Sequence, residues 1–448
     1  MRIAIATLGC KINQYDSAVI QSRLEGKHSF VSFEEAAECY VINTCTVTDR
    51  ADAEARQLVR RAKRLNPAAK VLVTGCYAQV NPQEVAQVPG VNFVVGLNRL
   101  DDLIRSVEVT PPETAQIAVS EVKRERGVAV LGTRVLPGHT RAFLKIQEGC
   151  NYACSYCIIP TARGLSRSVP PREVLGQVHQ LTGAGYKEIV LTGIHLGGYG
   201  QDLTPKIDLT ALAEMIAATG LVARLRLSSL DPREVPDRLL DLIAASDIIC
   251  PHLHICAQAG HDAILKQMRR NYDTSFYAEL LQRVRQRLPD AALGSDIIVG
   301  FPGESEAQFE QSLEYFDSLP LTYFHVFPYS PRRGTPAALL TDQLSGRVKR
   351  TRARRMRELG ARKKQDFCAS FIGKRLAVLI EERIDSTRGW RRGFSRNYLP
   401  VVVAGADGFL NQEVNVRIDG WENGWLTAAV RRKPAANAPP SILPTQSP

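Results

Sequence analysis

No apolar run in this sequence approaches the roughly 20 residues that a helix needs to cross a bilayer, so no membrane partner is expected. The opening stretch Met1-Arg2-Ile3-Ala4-Ile5-Ala6-Thr7 is too short and too polar at its flanks for a secretion signal, which makes a cytoplasmic location the expectation. In that compartment ten cysteines argue for metal binding or catalysis rather than disulfides. Acidic residues are the scarcer sign. There are 46 against 57 basic ones, and the formal charge of +11 points to a polyanionic partner. The rest of the composition, 44% hydrophobic and 23% charged, is ordinary for a soluble globular chain. A chain of 448 residues has room for two to four domains, each with its own core.

A fourth cysteine is also missing where one would be looked for. Cys150-Asn151-Tyr152-Ala153-Cys154-Ser155-Tyr156-Cys157 offers three thiolates spaced C-x3-C-x2-C in a loop led by Gly149. Ferredoxin runs use four close thiolates, one per iron. Three leave one iron of a cube open to a small molecule. A zinc knuckle would want four ligands on paired C-x2-C arms, so the spacing favours a cluster over zinc and over a disulfide. The loop resembles the signature of the radical S-adenosylmethionine (SAM) enzymes. That resemblance implies a 4Fe–4S cluster on Cys150, Cys154 and Cys157, with SAM on the open iron and cleaved to a 5′-deoxyadenosyl radical.

From residue 1 to about 107, short β-rich runs alternate with amphipathic stretches, as in a parallel βα sheet. Strands are expected over Arg2–Leu8, Cys39–Asn43, Lys70–Thr74 and Asn92–Val95. Helices are expected over Gln14–Leu24, Asp49–Leu65, Pro82–Gln87 and Leu100–Val107, with Asp49 as an N-cap. Ligands of such sheets sit beyond the carboxyl ends of the strands. Cys10, Cys45 and Cys76 each lie just after one of them, so three thiolates should meet on one rim. Cys39 precedes its strand and falls at the other end.

Thr7-Leu8-Gly9-Cys10-Lys11-Ile12-Asn13-Gln14, Asn43-Thr44-Cys45-Thr46-Val47-Thr48 and Gly75-Cys76-Tyr77-Ala78-Gln79 resemble the N-terminal domain of the methylthiotransferases. The resemblance implies two 4Fe–4S clusters, the second on Cys10, Cys45 and Cys76. It also implies transfer of a methylthio group to an unactivated carbon. One SAM would methylate a sulfur at the second cluster, and another would give the radical that takes the hydrogen.

Residues 108–135 read as a connector, part of which is able to pair as an edge strand. Six strands are then expected near Arg141–Gln147, Glu188–Thr192, Arg224–Ser228, His252–Ile255, Gly294–Val299 and Tyr323–Tyr329. With crossover helices they fit an open, partial TIM-like barrel whose chemistry belongs at the strands' carboxyl ends. Ser229 ends the third strand, placed for polar contact with a ribose. The resemblance implies SAM contacts at Gly193, Gln258, Asp296 and Gly300, and an aromatic near the adenine at Tyr156. The chain departs from its relatives in reading Cys256-Ala257-Gln258-Ala259-Gly260 after His252-Leu253-His254. Cys256 reads as a small buried residue or a spare thiol, and the two histidines, on one strand face, are not read as metal ligands.

Between Arg347 and Lys364 stand ten basic residues against one acid, Glu358. That density favours phosphate contact over a merely solvated helix. Beyond it, Phe371–Glu382, Leu399–Ala404, Gln412–Ile418 and Trp425–Arg431 alternate like strands of a small β-barrel. Arg391, Arg392, Phe394 and Arg396, between the first two, suit backbone neutralisation and base stacking. The module resembles a TRAM domain, the OB-like RNA-binding end of methylthiotransferases.

The expected fold class is α/β, in four parts: residues 1–112 (parallel βα domain), 136–366 (radical SAM core), 369–433 (TRAM) and a disordered tail over 434–448. The Gly9-Cys10-Lys11 and His325–Pro331 motifs resemble the branch that modifies N6-threonylcarbamoyladenosine beside the tRNA anticodon. Its partners would be the anticodon stem-loop, an electron donor such as flavodoxin or ferredoxin, and a sulfur donor. Arg332 and Arg333 are placed to read the threonylcarbamoyl carboxylate or tRNA phosphates. The alternatives are the isopentenyladenosine branch and a non-catalytic RNA-binding protein with structural iron–sulfur centres.

Overall fold

A computed structural model describes residues 1–125, 128 and 140–430. They form two compact units, divided between residues 364 and 365. The tail 434–448, residues 431–433 and most of 126–139 lie outside the described residues.

The first unit opens with a six-stranded parallel sheet. Its order is Ser29–Val31, Arg2–Thr7, Cys39–Thr44, Lys70–Gly75, Phe93–Val95, Gln116–Ala118. The central strands Cys39–Thr44 and Lys70–Gly75 are buried at every residue, as parallel strands covered on both faces must be. Two edge strands of three residues were not legible as apolar runs, although Gln116–Ala118 falls in the connector where pairing was left open. Thr48, not Asp49, caps helix Asp49–Leu65: its hydroxyl accepts the Ala51 N–H at 3.3 Å. Asp49 becomes the first helical residue, where a carboxylate suits the helix dipole.

The barrel has the six expected parallel strands, in two sheets. Arg224–Leu227, Glu188–Gly193 and Arg141–Glu148 form one, with an added antiparallel pair at Arg167–Ser168. His252–His254, Ala292–Val299 and Tyr323–Pro328 form the other. Parallel bridges Leu225 to Ile249 and Leu230 to Ile255 join them. Leu144, Leu191, Leu225, Leu253 and Leu293 fill the core with Val178, Leu212, Leu280, Phe309 and Met356 of the surrounding helices. The boundary expected between residues 112 and 136 does not separate two bodies, because a buried ion network joins the sheet to the barrel. Lys145 reaches Asp16 at 2.8 Å and Glu148 at 2.9 Å, and Arg163 reaches Asp16 at 3.0 Å and Glu148 at 2.7 Å.

The second unit is a closed five-stranded barrel, ordered Arg375–Ile384, Arg391–Ser395, Pro400–Ala404, Trp425–Ala429, Glu413–Glu422. The arginine-and-aromatic stretch expected between strands is itself the strand Arg391–Ser395. Among the described residues no helix is long and apolar enough to cross a membrane.

Candidate metal centre

Cys10 stands at the residue before helix Lys11–Leu24, Cys45 follows strand Cys39–Thr44, and Cys76 opens helix Cys76–Val80. Two glycines allow the loops to close. Gly9 has φ +96°, and a Cβ there would lie 2.6 Å from Cys45 Cβ and 2.8 Å from its sulfur. At Gly75, φ +94°, a Cβ would lie 2.3 Å from the Thr44 carbonyl. Asn13 ties the same loops, donating to the carbonyls of Leu8 at 2.7 Å and Thr44 at 3.0 Å. Burial pushes the Cys76 thiol up to about 12, Arg163 opposes, and Cys45 and Cys10 push it further. Cys39 is buried at the other end of its strand, as expected.

The second set sits in the loop after strand Arg141–Glu148. Gly149 has φ +72° with its Cα against the Leu165 carbonyl, and the Cys150 N–H donates to the Gly164 carbonyl at 3.1 Å. The Tyr152 N–H points at the Cys150 sulfur at 3.4 Å, and Arg270 Nη1 donates to the Cys154 sulfur at 3.2 Å. Burial, reinforced by Cys154, pushes Cys150 up to about 11 and Cys157 up to about 12. Thiols held so high stay protonated at neutral pH, so a metal binding them must displace protons. Each set thus places a guanidinium donor on one of its sulfurs, Arg163 on Cys76 and Arg270 on Cys154. That donor set fits an iron–sulfur cluster, whose sulfurs take such hydrogen bonds.

A cavity of about 200 Å³ is lined by Cys150, Cys154 and Cys157 together with Tyr156, Ser229 and Gln258. A second, of about 230 Å³, also touches Tyr156, Cys157 and Gln258 and continues to Asp296, Tyr329 and Arg332. Its far wall is Val47 and Thr48, in the loop that carries Cys45. Cys157 and the loop that follows Cys45 therefore border the same cavity. Gln258 holds φ +64°, a conformation costly for a side chain other than glycine.

Four of the six expected SAM contacts meet there, and two glycines do not. Gly193 lies against Gln147, whose Oε1 accepts the His195 N–H at 2.7 Å; Ile194 and His195 are the residues that reach the cavity. Gly300 has φ +72°, gives its N–H to Glu304 at 2.7 Å, and faces Lys349, whose Cγ would be 2.7 Å from a Cβ. Its lack of a side chain serves helix packing instead.

Asp296 is more elaborately held than the sequence suggested. It accepts from His254 Nε2 at 2.9 Å, His325 Nδ1 at 3.2 Å and the Cys256 thiol at 3.4 Å. Burial would raise its carboxyl, but His254 and His325 outweigh that and hold it far below the usual carboxylate range. Cys256 is thus a donor to a cavity residue rather than filler. His252 and His254 share the Tyr323 hydroxyl, at 2.8 and 3.1 Å.

Arg332 reaches the cavity and Arg333 does not. The Arg332 guanidinium is buried on Asp49, Asp52 and Thr46, so its charge is already matched. Arg333 is exposed outside the cavity. Lys349 places Nζ 4.9 Å from the centre of the ring of Tyr329, a residue that lines the cavity. The basic helix is likewise partly committed: Arg352, Arg355 and Arg362 pair with Glu304, Glu310 and Asp317 of the barrel.

In the second unit the arginines likewise have carboxylate partners. Arg391 pairs with Asp407 at 2.6 Å, Arg392 with Asp385 at 3.2 Å, and Arg396 grips Glu413 at 2.6 Å. Phe394 stacks on Tyr398 at 5.0 Å and leans on Trp425 at 6.1 Å, with the Arg392 guanidinium 4.8 Å above that indole. Half-exposed aromatics, rather than unpaired arginines, are the prominent feature of this face. Arg163 and Arg270 were missed altogether. Their signal was a charge within a few residues of a glycine turn or a buried helix end, which no motif marks.

Residues 2–96 match the family described as Uncharacterized protein family UPF0004, and residues 144–316 match the Radical SAM superfamily. The threonylcarbamoyladenosine tRNA methylthiotransferase MtaB of Bacillus subtilis is 40% identical over 93% of each chain. That of Aquifex aeolicus is 40% identical over 90% of this chain and 96% of its own. A tRNA-2-methylthio-N(6)-dimethylallyladenosine synthase of Carboxydothermus hydrogenoformans is 33% identical over 92% of this chain and 96% of its own. Among solved structures, the radical SAM methyltransferase TsrM of Kitasatospora setae shares the fold, with TM-score 0.53 over 86% of this chain and 79% of its own at 15% identity. With two full-length relatives at 40% identity, this chain belongs to the MtaB branch of the radical SAM methylthiotransferases.

Proposed function

We propose that the protein adds a methylthio group to C2 of N6-threonylcarbamoyladenosine, on the 3′ side of a tRNA anticodon. The observation that carries this reading is the cavity that Cys157 shares with Val47 and Thr48 of the loop after Cys45. A sulfur held at one cysteine set and a radical made at the other would meet a substrate between them. Cys150, Cys154 and Cys157 would hold the 4Fe–4S cluster that binds SAM, and Cys10, Cys45 and Cys76 would hold a second. With SAM bound, the first supplies one-electron chemistry, which an aromatic C–H without an acidic proton requires.

The chain's own residues position the reactants. Tyr156, Ser229, Gln258 and Asp296 line the place for SAM, and His254 keeps Asp296 ionised and aimed. Tyr329 and Ser330 border the place for the adenine. Lys349 is the cation for the threonylcarbamoyl carboxylate. Phe394, Tyr398 and Trp425 offer faces to unstacked bases of the stem-loop. A sulfur donor and a reductant such as flavodoxin or ferredoxin complete the cycle, in the cytoplasm. The test offers the anaerobically reconstituted protein matched anticodon stem-loops bearing either modified adenosine, with SAM, sulfide and dithionite. Methylthio product on the threonylcarbamoyl substrate supports the reading. Product only on the isopentenyl substrate moves the chain to the sister activity.

A further inference from the structure

We infer that Arg163 is a positioning residue for the N-terminal cysteine set: its guanidinium gathers the three loops and makes a cluster held there easier to reduce. This rests on the second-cluster reading above. Arg163 ends the short helix Ile159–Arg163, which begins two residues after Cys157. Its side chain nevertheless works in the other sheet. Nε donates to the Cys76 sulfur at 3.3 Å, Nη1 to Glu148 at 2.7 Å, and Nη2 to Asn13 at 2.6 Å and Asp16 at 3.0 Å. All three nitrogens are engaged on a side chain that is 1% exposed, so the geometry has no slack.

The contacts reach every cysteine loop of that set. Cys76 is touched directly. The loops of Cys10 and Cys45 are reached through Asn13, whose amide holds the Leu8 and Thr44 carbonyls. On the other side, Gly164, the next residue after Arg163, accepts the Cys150 N–H. One turn of helix thus links a ligand loop of the SAM site to all three loops of the other.

The electrostatic consequence has a sign. Lys145 and Arg163 balance Asp16 and Glu148, so the buried group is neutral with Arg163 and carries one negative charge without it. A donor and a positive charge on a ligand sulfur stabilise the more negative, reduced cluster. Hydrogen-bond partners one layer out from a metal ligand commonly matter this much.

The experiment uses full-length protein carrying C150A, C154A and C157A, so that only the N-terminal set is able to hold iron. Iron content and midpoint potential, from an EPR-monitored redox titration, are compared for Arg163, R163K, R163Q and E148Q. We expect R163Q to be reduced at least tenfold less favourably, about 59 mV lower for a one-electron couple. R163K should fall between, and E148Q, which removes a negative charge but leaves Arg163 on Cys76, should move the other way. Loss of iron in R163Q but not in E148Q also supports the role. Equal potentials in R163Q and the parent, or equal downward shifts or equal iron loss in R163Q and E148Q, would overturn it. A parent with no iron at all would overturn the second-cluster reading itself.

Discussion

Arg332, just past the last barrel strand, places Nη1 2.6 Å from the Asp49 carboxylate in the first turn of helix Asp49–Leu65. Its other nitrogen serves Asp52 and Thr46, one residue beyond Cys45. The sequence placed this arginine to read a substrate carboxylate or tRNA phosphates; the structure makes it the bolt between the barrel mouth and a cysteine loop. R332A strands the nearly buried Asp52, and breaking a buried pair typically costs about 3–5 kcal/mol. Urea unfolding should show a loss of that order, with R332K recovering part of it. A loss under about 1 kcal/mol would return Arg332 to the surface-pair class.

Iron content separates the two cysteine sets. Reconstituted protein should bind about eight irons, from two cubes. Cys10, Cys45 and Cys76 changed to Ala should halve the iron yet leave reductive SAM cleavage measurable. The corresponding change at Cys150, Cys154 and Cys157 should halve the iron and end cleavage. Ser at Cys39, Cys250 or Cys368, all buried away from either set, should change neither. Cys256→Ser should keep the iron.

What the sequence disclosed follows from what local chemistry encodes. Strand position and rim placement of Cys10, Cys45 and Cys76 were legible because parallel βα units put strand ends on one side. The barrel strands were legible for the same reason, within a residue or two at most ends. Arg163, Arg332 and Arg396 were not, because a charge's partner is set by tertiary contact. Nothing near Arg332 in the chain announces Asp49 or Asp52. Edge strands such as Ser29–Val31 escaped because three residues carry no period.

Lys349 gives the specificity prediction. Burial pushes its ammonium down in pKa and Asp49 opposes, yet it stands at the Tyr329 ring rather than on a carboxylate oxygen. A charge-assisted bond to the substrate is worth about 1.5–3 kcal/mol. K349M should therefore lower kcat/KM on the threonylcarbamoyl stem-loop by roughly ten- to a hundredfold and spare SAM cleavage without RNA. Equal activity of K349M and the parent would remove Lys349 from substrate reading.

Glu188 sets an acid limit. It lies between Arg224 and Arg226 inside the barrel, at 2.8 and 2.7 Å. Burial pushes its carboxyl up, but Arg226 and Arg224 outweigh this and bring it down to about 2 from 4.5. A depressed acid contributes stability above its unfolded value, and that stability is lost as pH falls through the folded one. The contribution is about 3 kcal/mol, present at pH 7 and disappearing between about pH 4.5 and 2. E188Q should be less stable at pH 7 and show a shallower acid limb in that window. An unchanged limb would mean that other carboxylates govern acid unfolding.

The face of the small barrel gives the RNA-binding prediction. Arg391, Arg392 and Arg396 have carboxylate partners, whereas Phe394, Tyr398 and Trp425 keep half-exposed rings. Stacking of a base on an aromatic is worth about 1–3 kcal/mol, whereas a phosphate contact adds about one unit to the salt slope. F394A and W425A should each weaken stem-loop binding by roughly ten- to a hundredfold without changing the slope of affinity against salt. R391A should leave that slope unchanged, because Asp407 already balances the charge. The measurement is a binding titration at several salt concentrations. A slope lowered by about one in R391A would show that RNA phosphate displaces Asp407, and full affinity in both aromatic variants would take the stacking role away from this face.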